Sequence, residues 1–341
     1  MSQRTGAMSG IAPADLIAVV PRLSWRRIVV IGDLFLDEYI EGQATRLSRE
    51  APIPVLEFER KFYRPGGGAN PASNIIALQG IAVQVGVVGD DEAGCQLLQE
   101  LREAGIDPAG VVVDPSRPTT TKTRIISRGS LRFPQQLARI DRVDRRPLDP
   151  AVQEALVSHL RELAPRAEAL LVSDYRTSVM SDGMAQTVLE IARAYNLLTT
   201  VDSQGNLSRY KGFDLVKCNQ AEAEATLGRE LVTHSQIEAA CQDLLDGLQA
   251  QAVVITRGPQ GMAGLSRSEG FVILPAVNRS EVYDVTGAGD TVIAVLTMAL
   301  AAKLPFAYAL RLANYAAGLV VRKLGNAVTT QRELCWAIEH W

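Results

Sequence analysis

Short apolar runs alternate with amphipathic stretches along most of the chain. The runs, rich in Val, Ile and Leu, occupy residues 27–33, 82–89, 169–174, 197–202 and 252–258. The helical patterns between them occupy residues 69–80, 92–105, 150–164, 181–195 and 235–248. Continuous apolar runs that end at glycine or a polar residue are typical of strands buried on both faces. The pattern predicts an α/β fold with a mainly parallel central sheet and helices on both sides.

Two segments depart from this rhythm. Residues 39–64 and 119–141 alternate polar and apolar positions, which predicts strands with one exposed face. They are expected to form a small β sheet beside the main domain. Residues 1–24 are interpreted as a loose or partly helical leader, so the expected organisation is this leader followed by one α/β domain over residues 25–341.

Composition narrows the class of protein. Of the 341 residues 47% are hydrophobic and the formal charge is −3, which indicates a globular chain with a large core and no basic surface for nucleic acid. The four cysteines form no CxxC pair, so free thiols are expected rather than a zinc site or disulfides. The apolar run 291–302 is shorter than the ~20 residues of a membrane span, and no secretory pattern is present. We therefore expect a cytoplasmic protein that binds neither nucleic acid nor membrane.

The strongest chemical signal is the sequence DVTGAGDT at residues 284–291. Residues 286–289 open a predicted helix, whose first N–H groups lack helical partners and attract an anion. Asp290 would lie beside that anion, where a carboxylate suits removal of a proton from a hydroxyl that attacks a phosphate. The alternative is structural, namely a glycine turn followed by an aspartate that favours a helix N-terminus.

Four further elements accompany this motif in a fixed order. They are GGGAN at residues 66–70, GVVGDDEAG at 86–94, NQAE at 219–222 and TRGPQG at 256–261. Together the five elements resemble the motif set of the ribokinase-like (PfkB) carbohydrate kinases over roughly residues 26–335, and no P-loop is present. The resemblance implies a ribokinase-like three-layer sandwich with a small β lid, and ATP-dependent phosphoryl transfer to a sugar with Mg²⁺.

The resemblance also implies roles for individual positions. Asp290 would be the base, and the backbone of Gly287, Ala288 and Gly289 would stabilise charge on the transferred phosphate. The expected sugar contacts are Asp33, Asp37, Gly67, Gly68, Asn70 and Asp174. The expected nucleotide contacts are Asn219, Glu222, Thr256, Gly258, Gly261, Thr286, Asn314 and Ala317, of which Asn219 and Glu222 would also hold Mg²⁺. A monovalent cation such as K⁺ and a homodimer joined through the lid are further expectations. Without the resemblance, the residues named above are equally compatible with structural roles as caps, turns and packing positions.

Longer stretches resemble one subfamily, the heptose-7-phosphate kinases. Residues 31–57, 117–141 and 172–181 carry this resemblance, which implies D-glycero-D-manno-heptose 7-phosphate as substrate and the 1,7-bisphosphate as product. Basic side chains in or near these stretches suit a substrate that already bears a phosphate. They are Lys122, Arg124, Arg128 and Arg139. The alternative is that each charge only protects the edge of a sheet.

Several positions depart from the subfamily pattern. Thr177-Ser178 replaces Lys-Gly, Gln204 replaces the lysine of a D-P-K-G element, and Arg49 and Pro71 are also unusual. The lost lysines leave open a kinase of the same fold that acts on another sugar, sugar phosphate or nucleoside. A catalytically silent sugar- or nucleotide-binding regulator is a third hypothesis. The histidines form no HxGH motif, so we expect this chain to lack the adenylyltransferase that the heptose enzymes often carry.

Overall fold

The computed structural model describes residues 10–128, 134–278, 282–323 and 325–341. Strands in these ranges belong to two sheets. They are β1 (Arg27–Gly32), β2 (Leu34–Leu47), β3 (Pro54–Gly67), β4 (Ile81–Gly89), β5 (Asp107–Asp114), β6 (Thr121–Arg128), β7 (Gln135–Arg142), β8 (Ala169–Asp174), β9 (Leu198–Ser203), β10 (Leu215–Asn219), β11 (Ala252–Thr256), β12 (Met262–Ser266) and β13 (Gly270–Leu274).

The central sheet has the order β13-β12-β11-β10-β9-β8-β1-β4-β5. The strands from β11 to β5 in this order run parallel, whereas β12 runs antiparallel to both of its neighbours, β11 and β13. This confirms the predicted α/β fold with a mainly parallel sheet. Because the carboxyl ends of the parallel strands share one edge, side chains that follow them are brought together there.

Helices cover both faces of the central sheet. They are α1 (Pro13–Val19), α2 (Ala69–Ala77), α3 (Glu92–Glu103), α4 (Pro150–Leu163), α5 (Asp182–Tyr195), α6 (Gln220–Leu227), α7 (His234–Gly247), α8 (Ala288–Ala301), α9 (Phe306–Val320) and α10 (Gln331–His340). On β1, Ile28 and Val30 pack into one core with α1–α3 and α8–α10, while Val29 and Ile31 pack into a second core with α4–α7. Burial on both faces explains why such strands are continuous apolar runs.

The two segments with alternating polarity form a separate sheet, as predicted. Its order is β3-β2-β6-β7, with β2 and β6 parallel and the outer pairs antiparallel. We call these four strands the small sheet. Since β2 begins two residues after β1 ends, the small sheet stands directly beside the carboxyl edge of the central sheet.

The described part of the segment before residue 25 packs against the rest of the chain. In the described part of that segment, α1 and the turn at residues 20–23 place Leu16, Val20 and Leu23 in the same core as β1. Their burial joins the segment to the domain, so packing does not break at residue 24. None of the helices in the described ranges combines the length and apolarity needed to cross a bilayer.

Candidate active site

Two cavities beside the carboxyl edge of the central sheet share two lining residues. The smaller cavity, of about 450 Å³, is lined by the ends of β9, β10 and β11 and by the start of α8. The larger cleft, of about 1190 Å³, lies between the small sheet, α2 and the loop before α8. Gly287 lines both. Groups bound in the two spaces would therefore approach each other at the start of α8.

The turn before α8 leaves backbone donors free. Asp284 accepts a hydrogen bond from the N–H of Thr286 (2.9 Å), which fixes the turn. Gly287 has φ 78°, a left-handed conformation that glycine adopts without strain. No backbone acceptor within the described ranges faces the N–H groups of Gly289 and Asp290. The helix start therefore offers donors and its positive dipole end to an anion.

Asp290 is the buried carboxylate of this helix start. It is 5% exposed and accepts hydrogen bonds from the Tyr175 hydroxyl (2.9 Å to each oxygen) and the Asn70 amide (3.1 Å). Burial, reinforced by the charge of Asp202, raises the pKa of Asp290 to about 7, although Tyr175, Lys217 and Asn70 act to lower it. A carboxylate with such a pKa can take up and release a proton near neutral pH.

An ion pair lies against the first turn of α8. Lys217 and Asp202 face each other in register on β10 and β9, and Lys217 Nζ lies 2.6 Å from Asp202 Oδ2. Burial favours the neutral amine, but the charge of Asp202 keeps the pKa of Lys217 above its ordinary value. A Cβ added to Gly289 would lie 2.8 Å from Nζ. A residue without a side chain at position 289 therefore leaves room for the ammonium group of Lys217.

The smaller cavity collects most of the predicted nucleotide contacts. The residues it brings together are Asn219, Glu222, Thr256, Gly258, Gly261, Asn314 and Ala317, alongside residues 287–290. Asn314 donates to the carbonyl of Pro275 (2.8 Å) and so holds the loop after β13. Thr286, also predicted to contact the nucleotide, lines the larger cleft instead, because the turn at Gly287 separates it from the helix start.

Asn219 and Glu222 form a capping box at the start of α6. Asn219 Oδ1 accepts from the N–H of Glu222 (2.9 Å), and Glu222 Oε2 accepts from the N–H of Asn219 (2.7 Å). Burial raises the pKa of Glu222. The described residues contain no group of three or more His, Cys, Asp or Glu side chains arranged around an ion. One carboxylate with an amide fits Mg²⁺ that completes its shell with water and phosphate oxygens, and does not fit a cage made of protein alone.

The larger cleft carries more basic than acidic side chains. Its charged lining residues are Glu41, Arg60, Arg64, Arg124, Arg128 and Asp284. Glu41 is 5% exposed, and its Oε2 lies 2.7 Å from Nε of Arg60 and 2.7 Å from Nε of Arg128. One buried carboxylate therefore holds two guanidinium groups next to each other. Two such groups with a net positive charge can bind a phosphate.

Comparison with known proteins identifies the family. A model of the pfkB family carbohydrate kinases matches residues 26–332. The chain belongs to this family. The bifunctional protein HldE of Geobacter metallireducens is 42% identical over 308 residues, which cover 90% of this chain and 61% of the relative. HldE of Helicobacter pylori 26695 is 37% identical over 310 residues, which cover 91% of this chain and 66% of the relative. The chain thus spans less than two thirds of the length of either relative.

Solved structures of the pfkB type share the architecture. Phosphofructokinase-2 from Escherichia coli in complex with potassium gives a TM-score of 0.74 at 20% identity, covering 93% of this chain and 99% of that chain. Ribokinase from Arabidopsis thaliana complexed with ribose and ATP gives 0.70 at 19% identity, covering 93% and 100%. At these identities the likeness shows the fold. It confirms the ribokinase-like sandwich that the motifs implied.

Two predicted sugar contacts have structural partners inside this pfkB fold. The carboxylate of Asp33 accepts from the N–H groups of Tyr175 (2.9 Å), Thr177 (3.0 Å) and Val179 (3.1 Å). Asp174 accepts from the Tyr210 hydroxyl at 2.6 Å. Both carboxylates are 1% exposed and neither lines the two cavities. Their oxygens fix the loop after β8 and the segment that carries Tyr210, and the contact of both residues with a sugar stays a prediction.

The charged candidates of the small sheet divide into two groups. Arg124 and Arg128 line the larger cleft, and Arg124 also pairs with the buried Asp37 (2.6 Å). Lys122 and Arg139 lie outside the lining of both cavities. Lys122 Nζ lies 4.0 Å from the ring centroid of Phe35, and Arg139 forms a bidentate pair with Asp141 on its own strand. The positive groups of Lys122 and Arg139 have these local partners, and their contact with a phosphate stays a prediction.

The glycine candidates serve packing rather than an open surface. A Cβ on Gly67, which has φ 60°, would lie 2.4 Å from the carbonyl of Asp33, and a Cβ on Gly68 would lie 3.1 Å from Gly32. The backbone at the end of β3 therefore packs closely against the end of β1, and the contact of these glycines with a sugar stays a prediction. Asn70 does line the larger cleft, where its amide also orients Asp290.

Sequence reasoning missed several residues at this site. They are Tyr175, Lys217, Arg60 and Arg64 as cavity-lining groups, and Asn326, which donates to Asp37. Two of them had a signal in the sequence. Tyr175 directly follows Asp174 at the end of a predicted strand, and Lys217 stands two residues before the Asn219 motif. The arginines of β3 had none, since exposed charges on a strand are common.

Proposed function

We propose that this protein transfers the γ-phosphate of ATP to a hydroxyl of a sugar phosphate, with D-glycero-D-manno-heptose 7-phosphate as the first candidate. One observation carries the proposal: a cavity with the family's nucleotide motifs and a cleft rich in arginine meet at Gly287, next to Asp290. ATP would occupy the smaller cavity and the sugar phosphate the larger cleft. The reaction centre is then the start of α8.

In this proposal Asp290 accepts the proton of the attacking hydroxyl on its carboxylate. Tyr175 and Asn70 hold that carboxylate by their hydrogen bonds, so its oxygens are oriented before the substrate arrives. The free N–H groups of Gly289 and Asp290 stabilise the charge of the transferred phosphate. Burial keeps water out of the surroundings of Asp290, which strengthens each of these interactions.

Mg²⁺ would be held beside the smaller cavity by Asn219 and Glu222. When bound, it neutralises phosphate charge and orients the phosphates for in-line transfer. A requirement for a monovalent cation such as K⁺ stays a prediction. Exchanging KCl for tetramethylammonium chloride in the kinase assay tests it, and an unchanged rate contradicts it.

The arginines of the larger cleft support a substrate that already bears a phosphate. Their four positive charges exceed the two negative charges of Glu41 and Asp284 in the same lining. A substrate panel with coupled ADP detection tests this directly. We expect turnover with heptose 7-phosphate and at least about tenfold lower kcat/KM with the matching free heptose, because loss of one charge-assisted contact costs about 1.5–3 kcal/mol.

A matched pair of variants locates the phosphate. Arg128→Met removes a cleft guanidinium while Arg60 still pairs Glu41. Arg139→Met removes a guanidinium of similar exposure, 48% against 45%, on a neighbouring strand outside the cleft. We expect Arg128→Met to raise KM for the sugar phosphate about tenfold and Arg139→Met to leave it unchanged. Equal effects of the two variants would contradict the assignment.

A kinase for an unphosphorylated sugar is the second candidate. It is favoured by the ion pairs themselves, because Glu41 and Asp37 already compensate Arg60, Arg128 and Arg124. This candidate predicts that the substrate panel gives the highest kcat/KM with a free sugar. It also predicts that Arg128→Met changes no KM.

We further propose that the protein forms a homodimer through the small sheet. Large apolar side chains are exposed on these strands and on the loop between β2 and β3: Leu47 (70%), Phe58 (69%), Ile53 (57%), Ile140 (60%) and Leu137 (45%). A second copy that covers them would remove apolar surface from water. Sedimentation of the wild type and of Phe58→Asp tests this. A wild type that stays monomeric at tens of micromolar (about ten times a typical assay concentration) contradicts the proposal.

A further inference from the structure

The smaller cavity is poor in positive charge for a space that takes a nucleoside triphosphate. Among the described residues that line it, the carboxylates are Asp202, Glu222 and Asp290, and the one cation is Lys217. A triphosphate brings several negative charges of its own. Repulsion between these and three carboxylates has to be offset by Lys217, by the start of α8 and by a bound divalent ion.

Lys217 lies near a position at which the sequence departs from the subfamily pattern. The sequence pattern of the heptose-7-phosphate kinases, which this chain resembles, has a lysine where this chain has Gln204. Gln204 lines the same cavity. Lys217 lies on β10, next to β9, which ends at Ser203 immediately before Gln204. A cation lost from the end of one strand is thus matched by a cation on the neighbouring strand.

We propose that Lys217 binds the terminal phosphate of the nucleotide at the start of α8, in place of a lysine at residue 204, and that Asp202 positions it. This inference rests on the proposed kinase function and deepens it. Lys217 would then be a catalytic residue, since it would contact the transferred group. Asp202 would be a positioning residue, since it acts through Lys217.

The geometry separates this role from that of an ordinary internal ion pair. Lys217 is 5% exposed, yet it lines a cavity together with its partner Asp202. Its ammonium lies against Gly289, where any larger side chain would displace it. The free N–H groups of Gly289 and Asp290 start at the same turn. Backbone donors and a charged donor therefore surround one place, beside the base, as charge stabilisation of a transferred phosphate requires.

Nucleotide binding gives the first test. We compare the affinities for a non-hydrolysable ATP analogue and for ADP, by calorimetry, in the wild type, Lys217→Met and Lys217→Arg. Lys217→Met should lose at least about tenfold in affinity for the analogue while ADP binding changes little, and kcat should fall about 100-fold. Lys217→Arg should keep part of the preference for the analogue. Equal losses for both nucleotides, or an unchanged kcat, would overturn the proposal.

Charge relocation gives the sharpest rescue. In the double variant Lys217→Met/Gln204→Lys, the preference for the ATP analogue and part of kcat should return. Arg26→Met is the matched control, because it breaks the Arg26–Glu168 pair (2.7 Å) next to the start of β1 and β8, at the opposite edge of the sheet. It should leave nucleotide preference and kcat unchanged. The inference would be contradicted if the double variant were as inactive as Lys217→Met and if Lys217→Met itself bound both nucleotides with unchanged affinity.

The pH dependence of kcat/KM adds a readout that a purely structural role of Lys217 would not change. The groups facing Asp290 are Asp202, Lys217, Tyr175 and Asn70. Loss of the Lys217 charge should raise the pKa of Asp290 and move the acid limb of kcat/KM to higher pH, whereas Asp202→Asn should move it to lower pH. Shifts in the same direction would refute the arrangement.

Two outcomes separate the inference from the function on which it rests. If the wild type transfers no phosphate to any sugar or sugar phosphate, the proposed function fails. If the wild type is active and Lys217→Met keeps its rate and its affinities, only the inference fails. Should Lys217→Met not fold because it leaves Asp202 buried alone, Lys217→Met/Asp202→Asn removes both charges and must show the same loss of preference for the analogue.

Discussion

Replacing the buried base by its neutral isostere should stabilise the protein at neutral and alkaline pH. Asp290 has a pKa of about 7 in the folded chain against 3.8 for the free group, because burial and the charge of Asp202 oppose ionisation. Between these two values the folded state holds a proton that the unfolded state has released. The contribution of Asp290 to the stability of the wild type therefore falls as pH rises from about 4 to about 7, and stays constant above. Asp290→Asn lacks this penalty.

The size of the effect follows from the two pKa values. A tenfold change in proton binding corresponds to about 1.36 kcal/mol, so a rise from 3.8 to about 7 costs the folded protein about 4 kcal/mol once Asp290 is ionised. The variant must still fit an amide between Tyr175 and Asn70. Asn70 can turn its own amide so that its oxygen faces the new NH₂ group, and one imperfect hydrogen bond costs about 1 kcal/mol. The expected net gain above pH 8 is about 3 kcal/mol.

Urea unfolding of the wild type and Asp290→Asn at a series of pH values measures this. The difference in unfolding free energy should move by about 2–3 kcal/mol in favour of the variant between pH 5 and pH 8. The variant should also lose kcat by a factor of about 10² to 10⁴, as expected for a missing general base. A stability difference that does not change with pH would refute the raised pKa, and a nearly normal kcat would refute the base.

Three further substitutions test the surroundings of the site. Tyr175→Phe keeps the ring but removes the hydrogen bond to Asp290, so the acid limb of the kcat/KM profile should move up by about one pH unit. Gly67→Ala places a Cβ 2.4 Å from the Asp33 carbonyl at φ 60° and should cost more than about 2 kcal/mol in urea unfolding. Ser178→Gly relieves a residue at φ 108° and should gain about 1 kcal/mol in the same assay, although it also loses the hydrogen bond that Arg117 donates to Ser178.

The pattern of the sequence predicted the elements whose residues are buried on both faces. Predicted runs 82–89 and 169–174 correspond to β4 (Ile81–Gly89) and β8 (Ala169–Asp174), and the predicted helix 92–105 corresponds to α3 (Glu92–Glu103). The strands that were missed are short or interrupted. Lys217 breaks the apolar run of β10, so its pattern carries no clear period, although its neighbours β9 and β11 bury it.

Motifs predicted the smaller cavity better than the larger cleft. The nucleotide residues follow strand ends or open helices, and the parallel topology brings such positions to one edge whatever their distance in sequence. The larger cleft depends on side-chain pairing across the small sheet. Glu41 pairs with Arg60 and Arg128, whereas Arg139 pairs with Asp141. The alternation of polar and apolar residues does not predict which of several similar strand charges form pairs.

The loop after β8 shows why departures from a subfamily pattern need not alter the reaction centre. Lys-Gly is replaced there by Thr177-Ser178, but Asp33 holds this loop through the backbone N–H groups of Tyr175, Thr177 and Val179. Such bonds do not depend on the identity of the side chain. The part of the loop that reaches Asp290 is the Tyr175 hydroxyl, which this chain retains. In the proposed reaction Asp33 would therefore contribute indirectly, because it fixes the loop whose Tyr175 hydroxyl orients Asp290.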